Sequence, residues 1–179
     1  MKLKKILRLT TIFILFFVIC ILFTVPMNFA AETDNTNCCN SISLGKAATI
    51  LVVSTDDLQK SNIDIMVSPD DIKKKTFKML PCNCAIRSKT NFLKSINYII
   101  YVYNDRGQAR IDFNKMQNNY GTISKVDVVP DIGDETFWVG DNRFQRMVSI
   151  KGDVLVDVLG PKEFDLQKQI ISMVLGNLE

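Results

Sequence analysis

The sequence predicts an α+β domain: an antiparallel β-sheet of about five or six strands packed with N-terminal, middle and C-terminal helices. Three observations carry this expectation. β-Branched and aromatic runs fill the second half of the chain, two of them joined by a two-residue Gly152-Asp153 loop. Apolar residues recur at helical spacing in three separate segments. The length of 179 residues suits one domain with a real core and is short for two.

The first thirty residues stand apart from the rest. Lys2, Lys4, Lys5 and Arg8 make a positive start, and Ile12 to Phe23 is an unbroken apolar run. This is the pattern of an export signal. Ala30-Ala31, just before Glu32-Thr33-Asp34-Asn35, offers small side chains to a signal peptidase, so residues 1–30 are expected to be a signal peptide cut near Ala30. The competing reading is an uncleaved anchor, because Leu9 to Val25 approaches the ~17 to 20 apolar residues that span a bilayer. Lipidation at Cys20 is disfavoured, since Phe17-Val18-Ile19 supplies no small residue before it. On either reading the positive start stays inside and the remainder is extracytoplasmic, secreted or periplasmic, with residues 9–25 the sole membrane contact if the leader is kept.

Residues 31–40 are polar and read as a flexible lead-in to a single domain over 41–179. Leu44, Ala47, Ala48 and Leu51 share one helical stripe, with Ser43 placed to cap it. Ser68-Pro69-Asp70-Asp71 supplies a cap, a proline at the first helical position and acids in the first turn, so a brief helix runs into Lys73-Lys74-Lys75. Cys82, Cys84 and Ile86 alternate with Asn83, Ala85 and Arg87, which sets both cysteines on one face of an extended segment. Ile96 to Tyr103 is apolar on nearly both faces and reads as a central strand covered on both sides. After a turn at Asn104 to Gly107, Ala109, Phe113, Met116 and Tyr120 recur at helical spacing until Gly121. Lys125 to Pro130, Thr136 to Val139, Arg146 to Lys151 and Val154 to Leu159 then read as strands, with turns at 131–134 and 140–142. Beyond Pro161, Leu166, Ile170, Val174 and Leu178 are four apart and mark a closing amphipathic helix.

Charge and residue usage exclude several functions. The leader holds four of the 22 basic residues and none of the 19 acids, which leaves the remainder near a net charge of −1. A nucleic-acid reading therefore has no basic footprint, and the run Lys73-Lys74-Lys75 with Lys78 reads as a solvated face. Histidine is absent, so no imidazole serves as base, nucleophile partner or metal ligand. There is no glycine-rich phosphate loop either, and no cofactor is expected. The chain is expected not to be an enzyme. Its partner is expected to be an envelope protein or a small ligand.

Four cysteines remain beyond the leader: Cys38, Cys39, Cys82 and Cys84. Residues two apart on a strand are about 6.6 Å apart, whereas bridged β-carbons lie within about 4.5 Å. Cys82 and Cys84 are thus unsuited to each other, and adjacent Cys38 and Cys39 would close a strained ring. Cross-pairing is favoured, with one or two bridges from the segment before the first helix to the strand at 82–84. The alternative is a thiolate carrier in which all four cysteines enclose zinc or copper. Its spacing is not that of ordinary zinc knuckles, and no Cys-x-x-Cys redox motif is present.

Two further constellations stand out. Asp127, Asp131, Asp134, Glu135 and Asp141 concentrate carboxylates around two turns, but their spacing matches no calcium loop, and Asp is a common turn residue. Among the strand aromatics, Tyr101, Phe137 and Trp138 are the candidates for a ligand groove, against the ordinary role of strand aromatics in core packing.

The order of motifs is also informative: Cys39, the helix with Leu44 and Ala47-Ala48, a cysteine-bearing strand, Gly133-Asp134-Glu135-Thr136-Phe137-Trp138, Ile150-Lys151-Gly152-Asp153-Val154, then a terminal helix. It resembles small exported bacterial proteins of the PsbP-type sandwich, named after an extrinsic subunit of photosystem II. The resemblance spans nearly all of the chain after the leader. It implies an antiparallel sheet between helical layers, an extracytoplasmic location and a non-catalytic binding role, and it supplies no catalytic residues. The chain departs from that pattern in doubling both cysteines and lacking a lipid-anchoring one.

Overall fold

The computed structural model describes residues 39–63, 65–140 and 145–178. The leader over 1–30, Cys38 and the turn at Asp141-Asn142 lie outside the described residues. Seven strands form one sheet: β1 (Leu58–Ile63), β2 (Phe77–Ser88), β3 (Ser95–Tyr103), β4 (Val126–Val128), β5 (Glu135–Gly140), β6 (Gln145–Lys151) and β7 (Val154–Leu159). Among the described residues four α-helices accompany them: α1 (Leu44–Leu51), α2 (Pro69–Lys73), α3 (Arg106–Gly121) and α4 (Phe164–Gly176). The α+β class is as expected, with seven strands in place of five or six.

Every neighbouring pair in the order β1-β2-β3-β7-β6-β5-β4 is antiparallel. The chain builds one half of the sheet, crosses it with α3, starts again at the far edge and folds back until β7 pairs with β3. Lys151 pairs with Val154, which leaves Gly152 and Asp153 as the loop, with Gly152 at φ 61°. A positive φ at the first loop position suits a tight hairpin, and glycine adopts it without a Cβ clash.

The additional strand is β1. Only Leu58 of its six residues is buried, so it carries no alternating apolar signature. Its register against β2 makes it a strand. The expected strand at the cysteines also begins earlier, at Phe77, and accommodates Pro81 beside register shifts at Met79 and Cys82. Proline lacks the N–H that a regular ladder needs, and irregular positions are where strands tolerate it.

Alternation along the strands divides the interior into two cores. Ile96, Tyr98 and Ile100 of β3 join one, while Tyr101 and Tyr103 join the other. The first face is covered by α1 and α4 through Ala47, Ile50, Leu51, Ile170, Ile171, Val174 and Leu175. The second is covered by α3, whose Ala109 and Phe113 are buried and whose Met116 and Tyr120 are half-buried. The closing helix ends at Gly176, so Leu178 lies past it and is partly exposed. Among the described residues no helix is long and apolar enough to cross a membrane.

Candidate functional site

At one end of the first face lies a groove of about 620 Å³. The C-terminus of α1 supplies Ile50, Leu51 and Val52, the β2–β3 turn supplies Leu93, Lys94 and Ser95, and the β7–α4 connection supplies Gly160 to Glu163, with Leu166 from α4 behind them. Three segments distant in sequence converge because the sheet order brings β3 beside β7. The walls are mainly aliphatic, and Lys94, Lys162 and Glu163 provide the charge.

Local chemistry holds these walls in place. Ser43 Oγ accepts from the Lys46 backbone N–H and starts α1. Val52 ends it at φ 52° with 78% of its surface exposed, an uncommon conformation for a β-branched residue. Its carbonyl accepts from Lys94 Nζ at 2.9 Å, which ties α1 to the hairpin.

The hairpin turn is built around Asp57. Ser88 Oγ and Thr90 Oγ1 donate to Asp57 Oδ2 at 2.5 and 3.1 Å, and the Thr90 N–H donates to Oδ1 at 3.1 Å. Lys89 Nζ donates to the Asp56 carbonyl at 2.7 Å. The hydroxyl of Ser88, then the Thr90 donors and the Lys89 charge, hold the Asp57 carboxyl below its ordinary pKa against a smaller effect of burial.

The three described cysteines, Cys39, Cys82 and Cys84, do not form a metal cage. Cys39 and Cys84 are joined in a disulfide with their Cα atoms 5.2 Å apart. Cys82 is disulfide-bonded as well. The thiolate-carrier expectation for Cys38, Cys39, Cys82 and Cys84 is therefore corrected: an oxidised sulfur has no thiolate to offer a soft metal. Cys39–Cys84 follows the expected cross-pairing, because Cys82, Cys84 and Ile86 share the buried face of β2 toward the segment before α1. The bridge spans 45 residues. In the chain-entropy model a loop of that size contributes about 4 kcal/mol.

The three aromatics expected to line a groove are placed apart. Phe137 and Trp138 are successive strand residues and so point to opposite faces. Phe137 is fully buried on the second face, where Tyr101 also packs. Trp138 lies on the first face, edge-on to Phe164 at 5.7 Å. The three line no common groove.

On the second face the aromatics enclose an ion pair. Arg146 grips Asp157 through Nε and Nη2 at 2.5 and 2.6 Å, while Arg146 Nη1 donates to the Tyr120 hydroxyl. The Asp157 side chain is 1% exposed and that of Arg146 17%. Burial lifts the Asp157 carboxyl above its ordinary pKa, with Arg146 opposing. Burial, helped by Asp157, also pushes the Tyr101 phenol up to about 12. Both charges are satisfied by each other in two hydrogen bonds, which leaves this cluster a packing element of the α3 layer.

Three of the acids at the turns are engaged too. Asp134 accepts from Arg106 at 2.9 Å and from the Gly152 N–H at 2.8 Å, Glu135 pairs with Arg110 at 2.5 Å, and Asp127 with Lys125 at 2.6 Å. Among the described residues no cluster of three or more acids or cysteines could hold a metal ion. Asp141 lies outside them.

The groove residues were not singled out from sequence. One signal was available: Phe92-Leu93 in the stretch Arg87 to Lys94, an apolar pair where a hairpin turn ordinarily places polar residues.

Comparison with known proteins bears on the fold. No family model and no curated protein matches the chain. Among solved structures, it is similar to the extracellular domain of PknH from Mycobacterium tuberculosis, at 13% identity and a TM-score of 0.55, over 76% of this chain and 91% of that one. A likeness at this identity shows the fold. It supports a layered sheet-and-helix domain and not the PsbP type in particular.

Proposed function

We propose that the chain is an extracytoplasmic, non-catalytic binding module of the cell envelope, with its ligand seated in the groove between α1, the β2–β3 turn and the β7–α4 connection. The carrying observation is the groove itself: about 620 Å³ of mainly aliphatic wall with two lysines, a size and lining usual for small-molecule sites. Such a site suits an apolar chain ending in an acid, the chain against Ile50, Leu93 and Leu166 and the acid near Lys94 or Lys162. Export is supported by the basic and apolar leader, by disulfides that persist in oxidising compartments, and by the likeness to an extracellular domain of PknH. The absence of histidine and the plain lysine and glutamate lining of the groove favour binding over turnover.

The test is a calorimetric titration with laurate. Saturable one-to-one binding is expected, weakened about tenfold or more by Leu166→Glu, which places a carboxylate on the apolar wall. Unsaturable binding, or binding indifferent to that change, would remove the groove reading.

A further inference from the structure

We propose that the β2–β3 hairpin tip is a membrane-docking element that inserts Phe92 and Leu93 into an anionic lipid surface. This goes beyond the expectation that only residues 9–25 contact a membrane; Leu93 is shared with the groove wall, whereas Phe92 is not. Phe92 and Leu93 are 81% and 78% exposed, adjacent, and in the turn between β2 and β3. Val52, 78% exposed, lines the same end. A large aromatic and a leucine held together in water have no folding rationale, since exposure forgoes the burial that ordinarily stabilises them.

The tip is also held rigid. Besides the Asp57 bonds to Ser88 and Thr90, the Asn91 N–H donates to Ser88 Oγ at 2.8 Å and the Leu93 N–H donates to Asn91 Oδ1 at 3.1 Å. Lys94 Nζ ties the tip back to Val52. The apolar pair is thus presented with little ordering left to complete on docking.

Charge selects the occupant. The tip segment Arg87-Ser88-Lys89-Thr90-Asn91-Phe92-Leu93-Lys94 carries three cations and no acid, and Lys162 lies across the groove. Acids stand near it as well: Asp57 in the turn network, Asp56 beside it, Glu163 in the groove wall and Asp165 in the first turn of α4. None of these acids belongs to the tip segment itself, where Lys89 Nζ donates to the Asp56 backbone carbonyl and Asp57 accepts from the turn hydroxyls. Aromatic and aliphatic tips ringed by lysine suit the interface of an anionic leaflet, where the ring enters the acyl boundary and the ammonium groups meet headgroup phosphates.

The experiment places a reporter at the tip. In a Trp138→Phe background, Phe92→Trp makes the tip the sole tryptophan, and its fluorescence is followed with brominated phosphatidylglycerol vesicles and with brominated phosphatidylcholine vesicles. Quenching is local to the tip, so a retained leader does not mimic it. Strong quenching on phosphatidylglycerol, weaker on phosphatidylcholine and reduced by added sodium chloride, is the expected result. In parallel, Phe92→Ser should lower the share of protein sedimenting with phosphatidylglycerol vesicles about tenfold, the scale of one buried aromatic, while leaving its thermal midpoint unchanged. Absence of quenching at position 92, or equal quenching on both lipids, would overturn the proposal. So would a Phe92-dependent dimer in sedimentation velocity without lipid, which would assign the tip to a second copy of the chain. Phe92 does not line the groove, so loss of docking with laurate binding intact separates this proposal from the groove reading.

Discussion

The two faces of the sheet are held by different physics. Toward α1 and α4 the interior is aliphatic and covalently stitched, with Cys39–Cys84 set among Ile42, Ile86, Ile96 and Val174. Toward α3 it is aromatic and contains a buried charge pair, with Phe113 and Phe137 at 5.2 Å and Arg146 5.2 Å from the centre of the Tyr120 ring. The first face draws on non-directional burial together with a constraint on the unfolded chain. The second relies on one directional arrangement whose parts fail together. The groove belongs to the first face, whose covalent tie fixes the segment leading into α1.

The largest expected effect breaks the covalent tie. Cys39→Ala with Cys84→Ala, changed together so that neither is left as a free thiol, should lower unfolding free energy by at most about 4 kcal/mol in urea titration, because the bridge at Cys82 still constrains the unfolded chain. An unaltered urea midpoint would show that the first face does not depend on the bridge.

Next comes the ion pair. Arg146→Leu leaves Asp157 buried and unpaired, which should cost about 3 kcal/mol, the lower end of the range because Arg146 is partly wet. Arg146→Leu with Asp157→Leu should recover most of that loss. The pH profile sharpens the contrast. An acid raised by burial binds protons more readily in the folded state, so its contribution to stability falls as pH rises from its unfolded value through its folded one. The deficit of Arg146→Leu should therefore shrink on acidification. Asp57 has the opposite sign: its carboxyl is held low, so the stability it supplies is present above the usual aspartate range and is lost as pH falls through its folded value. A deficit that does not change with pH would show that Asp157 is not the group left unpaired.

The smallest effect is at the groove. Val52→Gly relieves a β-branched residue at φ 52° and should stabilise by about 1 kcal/mol in thermal unfolding. A loss instead would mean that the Val52 side chain, not its backbone, supports α1.

Periodic elements were legible. The stripe of α3, the two-residue Gly152-Asp153 loop and the alternation of Cys82, Cys84 and Ile86 all write a burial pattern into consecutive residues. β1 was not legible, because an edge strand with one buried residue has no pattern to show. Arg146 and Asp157 sit in strands that otherwise read as apolar, and nothing local marks them as partners. The placement of the aromatics was not legible for a similar reason. Tyr101 and Phe137 were assigned a common surface with Trp138 by residue type, whereas strand parity sends neighbours to opposite cores.

The amino-acid order by itself determined the class of fold, the helical stripes and a cross-pairing of cysteines, since each depends on spacing along a few turns or strands. Tertiary structure alone decided the seventh strand, the division into two cores, the Arg146–Asp157 pair and the groove. Those depend on which distant segments meet, and it is the pairing of β3 with β7 that carries the tip at Leu93 to the turn at Lys162.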